Sequence, residues 1–186
     1  MRILAGNFKG KNLFAGNDLS IRPTTSRIKQ VIFSVLDDFC SEKHVLDLFA
    51  GSGSLGLEAL SRGATEVTFV EQSATSIQVL KKNLSTFAHI DNLTRIRQSD
   101  VYDYISNKGV SFELILMDPP FRYPRLQEMV NTLMANQVLA RKGILVIHHE
   151  TSNPLLMENA PYLMAKQKKV GRSLISFIFN EENNDE

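Results

Sequence analysis

A single cysteine, Cys40, in a chain of 186 residues excludes any internal disulfide and any cysteine cluster that could hold a metal. Near the end of an expected helix it reads as a small apolar residue. Long apolar runs are missing too: the stretch ILVI at 144–147 falls far short of the roughly 18 residues of a membrane span. The opening MRILAGNFKG lacks the apolar segment of a signal peptide, so the expectation is a cytoplasmic protein without a membrane partner. An overall excess of one charge is also absent, the net value being +1. That near-neutrality argues against indiscriminate adhesion to polyanions. The chain has no internal repeat and no low-complexity tract.

What charge there is lies unevenly. Residues 1–30 carry Arg2, Lys9, Lys11, Arg22, Arg27 and Lys29 against Asp18 alone, while EENNDE at 181–186 is an acidic tail. A basic arm in a nearly neutral chain fits either a local contact with a polyanion or a solvated face. With 43% hydrophobic residues, the chain can bury one substantial core. The expected division is a small extension over 1–40, one main domain over 41–180 and the tail over 181–186. From residue 44 onward, apolar strands at 44–49, 66–71, 93–98, 112–117 and 143–149 alternate with helix-length segments, the pattern of a parallel α/β sheet. SATSIQVLKKNLSTF places Ile77, Leu80 and Leu84 on one helical face with Ser73 as N-cap, and LQEMVNTLMAN aligns Leu126, Met129, Val130 and Leu133. YLMAKQKKV and RSLISFIFN around Gly171 predict an antiparallel hairpin. In the arm, RILAG and KNLFAG suit a small hairpin, and TSRIKQVIFSVLDDF predicts a helix from near Thr25 with Ile28, Ile32, Val35 and Leu36 inward.

VLDLFAGSGSLGLEAL at 45–60 runs from a buried strand through a glycine turn into a helix, and Gly51, Gly53 and Gly56 fit G-x-G-x-x-G. Such spacing supplies a tight turn and a close backbone approach to a ligand, but does not say which ligand. Glu71 closes the next strand, where a carboxylate accepts ribose hydroxyls. Asp47 stands before the turn, where it would repel a pyrophosphate and attract an ammonium. S-adenosylmethionine offers an ammonium, a ribose and an adenine, and no phosphate. Asp100, after the third strand, is placed to accept from the adenine amine and equally to cap a helix. In open α/β sheets the ligand lies outside the carboxyl ends of the strands. There FELILMDPPF sets Asp118, Pro119, Pro120 and Phe121. Two prolines remove donors and stiffen the adjoining carbonyls, beside a carboxylate and an aromatic face. That set suits an amino group on an aromatic ring, a poor nucleophile until its N–H groups are held and its lone pair is aimed. The plainer alternative has Asp-Pro-Pro merely end a strand and Phe121 join the core.

DLFAGSGSLGLEALSRGA with DPPF, preceded by RILAGNFKGKNL and RPTTSRIKQVIFSVL, resembles the RsmD family of bacterial methyltransferases over nearly the whole chain. The family methylates the N2 amine of one guanine in 16S rRNA of the small ribosomal subunit. The resemblance implies a Rossmann-like class I fold with a seven-stranded, mostly parallel sheet, an antiparallel C-terminal hairpin and an N-terminal β-hairpin and helix. It implies S-adenosylmethionine contacts at Asp47, Phe49, Gly51, Gly53, Glu71 and Asp100, with Thr24 and Arg27 close to the cofactor. It further implies catalytic roles for Asp118 to Phe121, RNA contacts at Arg2, Lys9, Lys11 and Arg22, and a monomer acting on the subunit or an assembly intermediate. Three positions depart from the family pattern: Ser26 where Asp is usual, Gln30 for a common Glu, and His148 for a common Glu. HHE at 148–150 is not expected to bind metal, because adjacent strand residues face opposite ways. The alternatives are a DNA amino-methyltransferase, an NAD-dependent oxidoreductase suggested by the glycines, and a noncatalytic RNA-binding module.

Overall fold

The computed structural model describes residues 1–16, 25–107, 109–121, 123–156 and 162–180. Arg22, Thr24 and the acidic tail therefore lie outside the described residues. Among the described residues, five α-helices and seven strands are formed: α1 (Ser26–Leu36), β1 (His44–Leu48), α2 (Ser54–Ser61), β2 (Glu66–Glu71), α3 (Ala74–Leu84), β3 (Thr94–Gln98), α4 (Val101–Ser106), β4 (Phe112–Met117), α5 (Leu126–Ala135), β5 (Leu139–Glu150), β6 (Leu163–Val170) and β7 (Ser173–Phe179). The strands make one sheet in the order β3-β2-β1-β4-β5-β7-β6, parallel except at β7. Strand order reverses between β1 and β4, which opens a crevice at their carboxyl ends.

Apolar residues from alternate positions divide between two cores, one on each face. Val45, Val67, Phe69, Leu114, Leu116 and Val146 meet α1, α2 and α3 on one side; Leu46, Leu48, Ile115, Met117 and Ile147 meet α4 and α5 on the other. α2 is buried along its entire length between the sheet and residues 4–8 of the N-terminal segment. The amides of Leu4 and Ala5 donate to the Glu58 carboxylate at 2.8 and 3.1 Å, and Phe8 N donates to Ser61 Oγ at 2.9 Å. Gly6 sits at φ 79°, and a Cβ there would lie 1.8 Å from the Ser61 carbonyl oxygen, so only glycine permits this docking.

Most expected elements form, with local differences. Thr25 and Ser73 cap α1 and α3 by accepting from Ile28 N and Ser76 N. The arm's hairpin forms as a short antiparallel pairing: Arg2 lies opposite Asn12, Ile3 N donates to the Lys11 carbonyl at 2.9 Å and Leu13 N to the Met1 carbonyl at 2.8 Å. In α1, Val35 is only half-buried, while Phe33 and Lys29 go inward. β5 starts at Leu139 rather than 143, because a register shift opposite Phe112 and Leu114 absorbs the extra residues, with Lys142 at φ 59°.

Lys29 requires a correction to the basic arm. Only 1% exposed, it forms a 3.0 Å ion pair with Glu58, itself fully buried, and donates to the Arg2 carbonyl at 2.9 Å. It cannot serve as a polyanion contact. Its place on the helical stripe with Ile32, Phe33 and Leu36 was a signal of burial already present in the sequence.

Candidate active site

The glycine turn puts Phe49, Gly51 and Gly53 at φ 59°, 54° and 80°. A left-handed Phe49 is strained for a residue with a side chain, and its ring lies edge-on to Tyr123 at 5.2 Å. Gly56 is required by close approach: a Cβ would come within 2.4 Å of the Phe69 ring and 3.0 Å of the Asp47 carboxylate. That contact lets Gly56 N donate to Asp47 Oδ2 at 2.8 Å. At the other end of the turn, Gly51 N donates to Glu71 Oε2 at 2.9 Å, while Ser73 N takes Oε1 at 2.8 Å. Two amides around the turn are therefore held by carboxylates. A pyrophosphate would need such donors free and would meet two negative charges, so the dinucleotide reading of the glycines fails on electrostatics.

Register explains how the carboxylates converge. Asp47 pairs with Phe69 and Leu116, one position before the end of β1. Paired residues in a parallel sheet share a face, and the face repeats every second residue. Glu71 and Asp118 each lie two residues beyond a partner of Asp47, so all three project to one side of the sheet. Asp47 is 1% exposed, and burial pushes its carboxyl well above the usual carboxylate range. The Gly56 amide opposes that rise, while the charges of Asp118 and Glu71 add to it. Carboxylates gathered in so buried a place favour a cation, which offsets both the lost hydration and the mutual repulsion when it binds.

Asp100 caps α4, accepting from Tyr102 N at 2.8 Å and Asp103 N at 3.3 Å, both through Oδ1. Asp118 is half-buried after β4, Pro119 is buried and Pro120 is exposed. Phe121 is 41% exposed, which sets aside a core role and presents its ring to solvent. The Pro120 carbonyl accepts from Tyr123 N at 3.2 Å, closing a turn behind the ring. His148 Nδ1 lies 2.8 Å from Asp118 Oδ1, and the His148 and Phe121 rings meet edge-on with centroids 6.0 Å apart.

His149 faces the other way and is bound at both nitrogens: Nδ1 to the Asn153 carbonyl at 2.9 Å and Nε2 to Ser176 Oγ at 2.8 Å. Since a carbonyl only accepts, Nδ1 carries the hydrogen and Nε2 accepts from Ser176, which in turn accepts from Gln167 Nε2 at 2.9 Å. Asn153 Nδ2 donates to the Tyr123 carbonyl at 3.0 Å, so this chain of bonds anchors the loop that follows Phe121. Burial lowers the His149 pKa from 6.5. Among the described residues, no three His, Cys, Asp or Glu side chains are grouped as metal ligands.

Of the expected RNA contacts, Arg2 and Lys9 are exposed, whereas Lys11 is half-buried, bonded to the Thr86 carbonyl and lying over the Phe87 ring at 4.2 Å. Arg27 is exposed in the first turn of α1. The sequence reading missed Asn83, which is fully buried and donates to the Ser52 and Phe14 carbonyls at 2.8 and 3.0 Å, tying the glycine turn to the N-terminal segment. A polar residue on the stripe of Leu80 and Leu84 was its signal.

The profile of the family described as Conserved hypothetical protein 95 matches residues 1–179. The Ribosomal RNA small subunit methyltransferase D of Escherichia coli strain K12 is 34% identical over 172 residues, covering 92% of this chain and 86% of its own. The protein of that name from Haemophilus influenzae is 33% identical, covering 92% and 89%. The solved structure of the Escherichia coli protein yhhF is 33% identical and superposes with a TM-score of 0.87 over 98% of this chain and 99% of its own. At 16% identity, the crystal structure of an RNA methyltransferase from Salinibacter ruber with S-adenosyl-L-homocysteine shares the fold, with a TM-score of 0.67 over 89% and 97%.

Proposed function

Since the chain belongs to the RsmD family, we propose that it transfers a methyl group from S-adenosylmethionine to the exocyclic N2 amine of a guanine in 16S rRNA. The observation that carries the reading is the junction of two motifs at the β1/β4 crevice: a glycine turn lined by carboxylates, and Asp118-Pro119-Pro120-Phe121 beside it with the Phe121 ring exposed.

The donor set fits the cofactor. Asp47, whose pKa is raised first by burial and then by the charges of Asp118 and Glu71, forms with them a carboxylate cluster that suits a ligand with cationic centres and no phosphate. Asp47 accepts from the ammonium, Glu71 accepts from the ribose hydroxyls with lone pairs beyond those given to Gly51 and Ser73, and Asp100 accepts from the adenine amine while remaining a helix cap. Arg27, exposed in the first turn of α1, is a further contact of the cofactor, as is Thr24, which lies outside the described residues. When bound, S-adenosylmethionine supplies an electrophilic methyl group on its sulfonium.

Asp118 accepts from the guanine, whose N1 and N2 both carry hydrogens, and this favours guanine over adenine, whose N1 is an acceptor. Phe121 stacks on the base and sets its plane. No strong base is needed, because the nitrogen becomes acidic once alkylated. Arg2, Lys9, Lys11 and Arg22 hold phosphates, contacts that carry little sequence information. The target is therefore selected by shape and accessibility, in a loop whose base flips beside Phe121. A subunit or assembly intermediate holding that loop open is a better substrate than naked rRNA. The enzyme acts as a cytoplasmic monomer, with residues 1–40 as its RNA-facing extension and 41–180 as the methyltransferase domain. Nucleoside analysis of 16S rRNA from cells with and without the protein tests the reading: loss of N2-methylguanosine supports it, and loss of N6-methyladenosine instead refutes the choice of base.

A further inference from the structure

β5 runs beyond β4 at the carboxyl edge of the sheet. The last paired positions are Met117 and Ile147, so Asp118 and His148 follow in register and stand side by side on the face that carries Asp47. Nδ1 of His148 meets Asp118 Oδ1 at 2.8 Å, and since a carboxylate oxygen accepts, Nδ1 carries the hydrogen. The ring is 7% exposed and backed by Ile175 of β7, its antiparallel partner. Its other nitrogen, Nε2, is buried without a hydrogen-bond partner among the described residues. A buried imidazole with one nitrogen unmatched is not optimised as core packing. Its one polar bond goes to Asp118, and its ring edge contacts Phe121 with centroids 6.0 Å apart. Neighbouring His149 shows the contrast: both of its nitrogens are matched and it serves the fold alone.

We propose that His148 is a positioning residue for methyl transfer: its Nδ1–H fixes the Asp118 carboxylate and its ring braces Phe121, so that one side chain of β5 aligns both groups that receive the base. This rests on the function proposed above. As a positioning residue, His148 acts on the rate through Asp118 and Phe121. A rigid acceptor aims the amine lone pair, and loss of the Nδ1–H bond widens the range of orientations the carboxylate samples.

Three variants separate the contributions. His148→Phe keeps a ring against Phe121 and removes the donor. His148→Asn places an amide nitrogen near the Nδ1 position and restores the bond, whereas the longer His148→Gln places its amide near Nε2, away from Asp118. Single-turnover methylation of isolated small subunits lacking the modification is measured together with S-adenosylhomocysteine affinity and the melting temperature. The expected result is a loss of at least tenfold in rate for Phe and Gln, recovery to within about threefold for Asn, and unchanged cofactor affinity in every folded variant. If Phe does not fold, the Asn and Gln pair carries the same comparison. Wild-type rates in both Phe and Gln, or an Asn variant as slow as Gln, overturn the positioning role. Inactivity of the wild-type protein in this assay instead overturns the proposed function.

Discussion

Replacing Glu71 by Ala is expected to affect cofactor affinity and local stability by different amounts, because one carboxylate serves two backbone amides and a ligand. The amides of Gly51 and Ser73 donate to it at 2.9 and 2.8 Å, and all three residues are half-buried. An orphaned amide sealed from water costs about 1–3 kcal/mol, but water reaches a half-buried loop, so the two together should cost about 1–2 kcal/mol. For a chain of this size that lowers the melting temperature by roughly 2–8 °C. A hydrogen bond to the charged carboxylate contributes about 1.5–3 kcal/mol, so loss of the ribose contact should weaken binding roughly tenfold to 150-fold. Calorimetric titration with S-adenosylhomocysteine and with its 2′-deoxy analogue, on wild type and Glu71→Ala, forms a double cycle that isolates the contact from the loosened turn. Removing the ribose hydroxyl should cost affinity in the wild type and little in the variant. If the deoxy analogue loses the same factor in both proteins, Glu71 does not touch the ribose and its part is confined to holding the turn.

Asp118→Ala should leave cofactor affinity intact and slow single-turnover transfer at least about a hundredfold, since its contact strengthens as the amine attacks; a near-wild-type rate would remove Asp118 from the mechanism. Glu58→Ala should destabilise by about 3–5 kcal/mol, because it strands the buried Lys29 charge, whereas Lys29→Met leaves Glu58 with Arg62, Leu4 and Ala5 and should cost less. Equal urea midpoints for those two variants would contradict the network. Stability should also fall in mild acid: burial lowers the His149 pKa from 6.5, so the unfolded chain binds the proton more readily, and the contribution is present above about 6.5 and lost as pH falls through the lowered folded value. Melting temperatures of wild type and His149→Asn between about pH 7.5 and 5 check this; parallel slopes would show that His149 is not the group responsible.

The cofactor and base-binding motifs were legible in the sequence because their signals are local. Alternating apolar residues mark β1 and β2, glycines at 51, 53 and 56 mark a turn that admits no side chain at its closest contact, and the prolines after β4 end that strand where its carboxyl edge must be. Strand parity is local as well, so Asp47 facing away from Leu46 and Leu48 could be read from spacing alone. Which strands adjoin, and in what register, depends on residues far apart in the chain. Only the pairing of Asp47 with Phe69 and Leu116 brings Glu71 and Asp118 to its face, and only the pairing of Met117 with Ile147 sets His148 against Asp118. Lys29 follows the same logic. Its charge suggested an exposed basic arm; its place on the apolar stripe of α1 marked it for burial, but its partner Glu58 lies on another helix, a match no local pattern encodes.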